Sequence, residues 1–135
     1  MKDIALILFS HGHMAEETLR SAEMIAGAFE DARALSIYSK DTVESIKKNL
    51  KEVLKELKGY KNFLVMVDII GGTPCNVAIT ELYKEKNVRI ISGFNLAMVL
   101  EFGTSRESNI DKLKDYLISL GKSQIKDLKQ ELKGE

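Results

Sequence analysis

Two stretches of the chain are apolar without a break. Ile4-Ala5-Leu6-Ile7-Leu8-Phe9 stops at Ser10-His11-Gly12-His13, and Phe63-Leu64-Val65-Met66-Val67 stops at Asp68. A short segment that is apolar on both of its faces reads as a strand covered from both sides, as in a parallel sheet between helices. After the first run the period changes. Met14, Leu19, Ala22, Ile25, Ala26 and Phe29 recur near one face while Glu16, Glu17, Arg20 and Glu23 fall elsewhere, which predicts an amphipathic helix. Residues 32–38 have strand character, and Val43, Ile46, Leu50, Val53, Leu54 and Leu57 mark a long helix with Asp41 or Thr42 as its N-cap and Gly59 as its stop. Thr73 as N-cap and Pro74 at the first helical position predict a helix to about Tyr83.

Residues 88–92 read as a fourth strand and residues 95–102 as a short helix. Ile110, Leu113, Tyr116, Leu117 and Leu120 give a last clear helix, closed by Gly121. The segment that follows is open: Ile125, Leu128 and Leu132 suit a helix, while Ile125 and Leu128 equally suit a short strand paired elsewhere. Strands alternating with helices argue for an open α/β sandwich, a mostly parallel sheet with helices on both faces and right-handed crossovers. No repeat or linker divides the chain, so residues 1–135 are expected to form one domain.

Composition narrows the function. With 44% apolar and 30% charged residues the chain is an ordinary globular protein, and 20 basic residues against 20 acidic ones argue against a nucleic-acid binder, which needs a basic face. The single cysteine, Cys75, excludes an internal disulfide. The N-terminal apolar run is too short to span a membrane and has no small-residue cleavage site after it, which leads to the expectation of a cytoplasmic protein.

In an open α/β sheet, ligands bind beyond the C-terminal ends of the strands, where the strand order reverses. If strand 1 lies beside strand 3, that crevice receives both histidines of the chain, His11 and His13, together with Asp68 and the turn Ile69-Ile70-Gly71-Gly72-Thr73. The set suits phosphoryl chemistry. Backbone N–H groups at Gly71, Gly72 and the start of the Pro74 helix form an anion site with the helix dipole behind it, and Thr73 adds a hydroxyl. A carboxylate at Asp68 that accepts from His11 Nδ1–H turns the Nε2 lone pair toward the phosphate and stabilises the imidazolium that develops. Neither a metal nor another cofactor is required.

These residues carry a resemblance. Ser10-His11-Gly12 with Ala15-Glu16 after one apolar strand, Asp68-Ile69-Ile70-Gly71-Gly72-Thr73-Pro74-Cys75-Asn76 after the other, and Ser92-Gly93-Phe94-Asn95-Leu96-Ala97-Met98 after strand 4 resemble the IIA component of the mannose/fructose/sorbose class of the bacterial phosphotransferase system. The resemblance implies a three-layer sandwich of order 2-1-3-4 and a homodimer that exchanges a C-terminal strand. It also implies a phosphoryl carrier: His11 accepts from the phosphohistidine of HPr and donates to a histidine of a separate IIB component. Asp68 is then the orienting aspartate and Thr73 the hydroxyl near the phosphate, with membrane IIC and IID components as indirect associates. His13 departs from the family pattern, in which a nonpolar or aromatic residue is usual at this place. It reads either as a modulator of His11 or as an exposed loop histidine.

Ile69, Ile70, Phe94 and Met98 read as a docking patch or, for the last two, as core; Cys75 reads as a reactive or a buried thiol. Three other functions compete. The first is a regulatory or dihydroxyacetone-kinase-type phosphohistidine domain. The second is a receiver or flavodoxin-like module, against which stands Ser10-His11 in place of an acidic pair. The third is a hydrolase with a metal on His11, His13 and Asp68.

Overall fold

A computed structural model describes residues 2–134. The apolar runs become the two central strands. Strands β1 (Ile4–His11), β2 (Ala32–Ile37), β3 (Asn62–Val67) and β4 (Val88–Ser92) pair in parallel in the order β2-β1-β3-β4. Helices α1 (Met14–Ala26), α2 (Val43–Glu56), α3 (Thr73–Leu82), α4 (Leu96–Thr104), α5 (Ile110–Ser123) and α6 (Leu128–Leu132) complete the chain. The open three-layer sandwich and its strand order agree with the sequence reading.

The pleat explains why the central strands carry no polar face. Leu6, Leu8, Leu64 and Met66 enter a core with Ala22 of α1, Phe102 of α4, and Leu113 and Leu117 of α5. Ile7, Phe9, Val65 and Val67 enter a second core with Leu50 of α2 and Ala78 and Leu82 of α3. Successive side chains of a strand point to opposite faces, so both halves of each apolar run are buried. Ile4 to Phe9 are all fully buried.

Several element ends differ from the sequence reading. Thr42, not Asp41, caps α2 in a reciprocal capping box with Ser45, while Asp41 accepts from Tyr38 N–H. Helix α2 ends at Glu56, before Gly59. Helix α1 ends at Ala26 because Gly27 takes φ +90°, so Ile25 is exposed and Phe29 reaches the core from the following loop. Gly121 does not close α5. The helix continues to Ser123, and Gly121 serves packing, since a Cβ there would lie 2.5 Å from Met98 Sδ.

The open C-terminal segment contains a short helix, capped by Asp127, whose Leu128 and Leu132 are exposed together with the preceding Ile125. Among the described residues it adds no strand to the sheet, and the outer edge of β4 is unpaired.

Gly103 tests the packing of the α1 and α4 layer. A Cβ there would lie 2.0–2.5 Å from atoms of the Phe29 ring. Alanine is the better helix former by about 1 kcal/mol, yet Gly103→Ala is expected to lower stability by about 1–3 kcal/mol in total because the buried ring must move. Urea denaturation measures the difference.

Candidate functional site

The site arises where two ladders end at different heights. Strand β1 pairs with β2 through Ser10↔Ser36 and His11↔Ile37, whereas its pairing with β3 ends at Phe9↔Val67. Beyond that point the Asp68 side chain takes the place of strand β3. Asp68 Oδ2 accepts from His11 N–H at 2.9 Å and lies 2.7 Å from His11 Nδ1, while Oδ1 accepts from Ile69 N–H at 2.9 Å. On the other side of the strand end, Gly12, in the left-handed region with φ +55°, donates its N–H to Ile37 at 2.7 Å.

Exposure differs sharply within the pair. The Asp68 side chain is 8% exposed and that of His11 52%. Burial pushes the Asp68 carboxyl up, but the bonds from His11 N–H, the His11 ring and Ile69 N–H outweigh it and leave the carboxyl below its ordinary range. Asp68 is therefore a carboxylate at neutral pH. As an acceptor it fixes the His11 tautomer with the proton on Nδ1, and the Nε2 lone pair is left to the crevice.

The turn before α3 faces that nitrogen. Gly71 adopts φ +83°, and Asn76 holds the turn by donating its side-chain N–H to Gly71 O at 3.2 Å and its backbone N–H to Gly72 O at 2.9 Å. The expectation for the helix start is corrected by one residue: Gly72 is the N-cap, Thr73 the first helical residue and Pro74 the second. No side chain caps this helix, so the exposed Thr73 hydroxyl is not spent on it. The N–H groups of Thr73 and Cys75 also have no acceptor within the helix. Helices α2, α4 and α5 begin differently, with side-chain caps from Thr42, Asn95 and Asn109. Gly72 lies against the imidazole, and a Cβ there would sit 2.8 Å from His11 Cε1 and 3.5 Å from Nε2.

Thus His11, Asp68 and the Gly71-Gly72-Thr73 turn come together as the sequence predicted. His13 does not join them; it contacts Glu16 and Tyr38. The ligand set of His11, His13 and Asp68 is accordingly not assembled, and among the described residues no group of three or more His, Cys, Asp or Glu side chains is placed to hold a metal. Ile69 and Ile70 are exposed beside the site, whereas Phe94, Met98 and Cys75 are buried. Two supporting roles were missed in the sequence. Fully buried Ser10 accepts from Ala15 N–H at 2.8 Å and so caps α1 from the strand, and Asn76 braces the glycine turn. A polar residue directly after six apolar ones was the available signal for Ser10.

The arrangement is an exposed nucleophilic nitrogen with a carboxylate behind it and an uncapped helix start in front. It suits an anionic electrophile, above all a phosphoryl group.

Residues 5–117 match the family described as "PTS system fructose IIA component". The mannose-specific EIIAB component of Escherichia coli K12 is 28% identical over 128 residues, which cover 93% of this chain and 40% of that protein. The chain therefore spans well under half of that relative's length. The fructose-specific EIIA component of Bacillus subtilis is 28% identical over 87% of this chain and 79% of its own length. Among solved structures, the mannose/sorbose-specific IIA subunit from Enterococcus faecalis superposes with a TM-score of 0.85 at 41% identity, covering 94% of this chain and 95% of that one.

Two outcomes test the geometry. Gly72→Ala is expected to push the imidazole off Asp68 while the fold persists, seen in NMR as loss of the hydrogen-bonded His11 Nδ1–H resonance. For Asp68, a folded-state pKa below the unfolded one means stability that is present above about pH 4 and lost as pH falls through the lowered value. Urea unfolding should accordingly find Asp68→Asn less stable than the unaltered chain at pH 7, with a smaller difference at pH 3.

Proposed function

The chain belongs to the PTS system fructose IIA component family, and from that premise we propose that it is a phosphoryl carrier whose acceptor atom is His11 Nε2. The observation that supports this most strongly is the single oxygen of Asp68 that serves both the backbone N–H and Nδ1 of His11. The ring can neither rotate about χ1 nor change tautomer without losing that oxygen, so Nε2 is presented in one orientation.

In the transfer, the P–N bond to the phosphohistidine of HPr breaks as a P–N bond to His11 Nε2 forms. The donor imidazole leaves with the electron pair of the broken bond. His11 keeps its Nδ1 proton and becomes a phosphorylated imidazolium, whose positive charge Asp68 offsets. The phosphoryl oxygens meet the N–H groups at the start of α3 and the Thr73 hydroxyl, with the helix dipole favouring their charge. Reversal of these roles delivers the group to a histidine of a IIB component. No water and no redox partner enters the balance.

Exposed Ile69 and Ile70, directly after Asp68, are the apolar contacts for these partners. The protein works in the cytoplasm, alongside membrane IIC and IID components that take up the sugar; among the described residues no helix is long and apolar enough to cross a membrane. It acts as a homodimer. The unpaired edge of β4 and the exposed Ile125, Leu128 and Leu132 supply complementary surfaces for exchange of the C-terminal segment.

The test is incubation with phosphoenolpyruvate, enzyme I and HPr, followed by intact-mass spectrometry and peptide mapping. A single acid-labile phosphoryl group on His11 that depends on HPr is the expected result. His11→Ala should take up none, and Asp68→Ala should take it up more slowly. Full labelling of His11→Ala overturns the assignment.

A further inference from the structure

The turn that carries His11 presents a second imidazole to solvent. The His13 side chain is 72% exposed, yet its ring has a defined environment. Nδ1 lies 3.4 Å from Glu16 Oε2 and 3.4 Å from the Tyr38 hydroxyl, and the ring packs on the Tyr38 ring with centroids 5.3 Å apart and planes inclined by 58°. A carboxylate oxygen can only accept, so the contact with Glu16 puts a proton on Nδ1, and the singly protonated ring keeps Nε2 as an acceptor.

Glu16 is the centre of this group. Its Oε1 accepts from the Tyr38 hydroxyl at 2.9 Å and from the Ser36 hydroxyl at 2.9 Å, so α1 is tied to the end of β2 beside the strand that ends in His11. The hydrogen bonds from Tyr38, Ser36 and His13 hold the Glu16 carboxyl below its ordinary range against the opposing effect of burial, and Glu16 in turn raises the Tyr38 phenol. At neutral pH the group thus contains a carboxylate and an intact phenol.

That carboxylate lacks a cation. Among the described residues no lysine or arginine pairs with it, its basic neighbour being the His13 ring, and the adjacent Glu17 is already paired with Arg20. An uncompensated carboxylate coupled to an outward imidazole acceptor, two residues along the chain from the phosphoryl-accepting histidine, is complementary to a cationic hydrogen-bond donor. The cluster also lies on the α1 side of the sheet, where Ser10 and Ser36 point, while His11 turns to the α3 side against Gly72. Its contribution therefore falls on association and not on the transfer step.

We propose that His13, supported by Glu16 and Tyr38, selects the partner that delivers the phosphoryl group, its Nε2 accepting a hydrogen bond from a guanidinium or ammonium group of that partner. The inference rests on the carrier reading above and adds a specificity-determining residue to it.

Initial rates of transfer from phosphorylated HPr to the full chain test it. His13→Ala is expected to raise KM by about ten-fold, the worth of one charge-assisted hydrogen bond, with kcat within about two-fold. His13→Gln keeps a side-chain acceptor and should recover part of the loss. Tyr38→Phe, which removes one oxygen beside Nδ1 but keeps the ring, should raise KM by a smaller factor, and this increase should vanish in the His13→Ala background. Raising the salt concentration should narrow the gap between the unaltered chain and His13→Ala.

An unchanged KM in His13→Ala, or a fall in kcat at constant KM, overturns the inference and leaves the carrier reading intact. Failure of phosphorylated HPr to charge His11 in the unaltered chain overturns both.

Discussion

The fold and the site meet in one carboxylate oxygen. Asp68 Oδ2 accepts from the backbone N–H and faces the Nδ1 of the same residue, His11, at the level where β1 has outrun its pairing with β3. Without it the end of β1 would carry an unpaired amide and the imidazole would be free to turn. A largely buried carboxylate is costly by itself; here the two donors from His11 and the Ile69 N–H offset that cost. Strand register, ring orientation and tautomer are consequently fixed by the same contacts, so on the proposed reading the nucleophile is organised before any partner arrives.

Asp68 is the negative pole behind the ring, and the start of α3 is the positive pole in front of it. The positive pole depends on what is missing. Gly72 offers no side chain to occupy the space beside His11 Nε2, and no side chain caps the helix amides. A serine or aspartate cap would satisfy those amides internally and leave less for a phosphoryl oxygen. The chain forgoes the stability of a cap at this helix while taking it at α2, α4 and α5.

The central strands were legible because burial on both faces leaves an uninterrupted apolar run, and the site was legible because parallel sheets gather strand-end loops in one crevice. Other features depend on facts the local sequence lacks. Glycine and threonine are both accepted N-caps, so Gly72 and Thr73 could be told apart only by the backbone. Gly121 follows a helical pattern as a terminator would, but Met98, remote in sequence, claims the space above it. The role of Ser10 depends on where α1 begins, and the burial of Phe94 and Met98 on how α4 packs. The C-terminal segment reads as amphipathic in either period, and its apolar residues find no cover among the described residues.

On the carrier reading proposed above, an exposed phosphohistidine must survive long enough to reach its acceptor, which makes the placement of bases around it as important as that of the nucleophile. Hydrolysis would be promoted by a free carboxylate or imidazole able to take a proton from water beside the phosphorus. In this site both oxygens of Asp68 are committed to His11 and Ile69, behind the ring rather than beside the incoming group. Glu16 is bonded to Tyr38 and Ser36 on the other face of the sheet, and the inner nitrogen of His13 faces that same cluster. What faces Nε2 is a glycine and an uncapped helix start, groups that can bind phosphoryl oxygens but cannot activate water. On that reading the groups directly against His11 Nε2 include no base that would discharge a phosphoryl group to water, and the His13 ring is held by Glu16 and Tyr38 on the opposite face of the sheet.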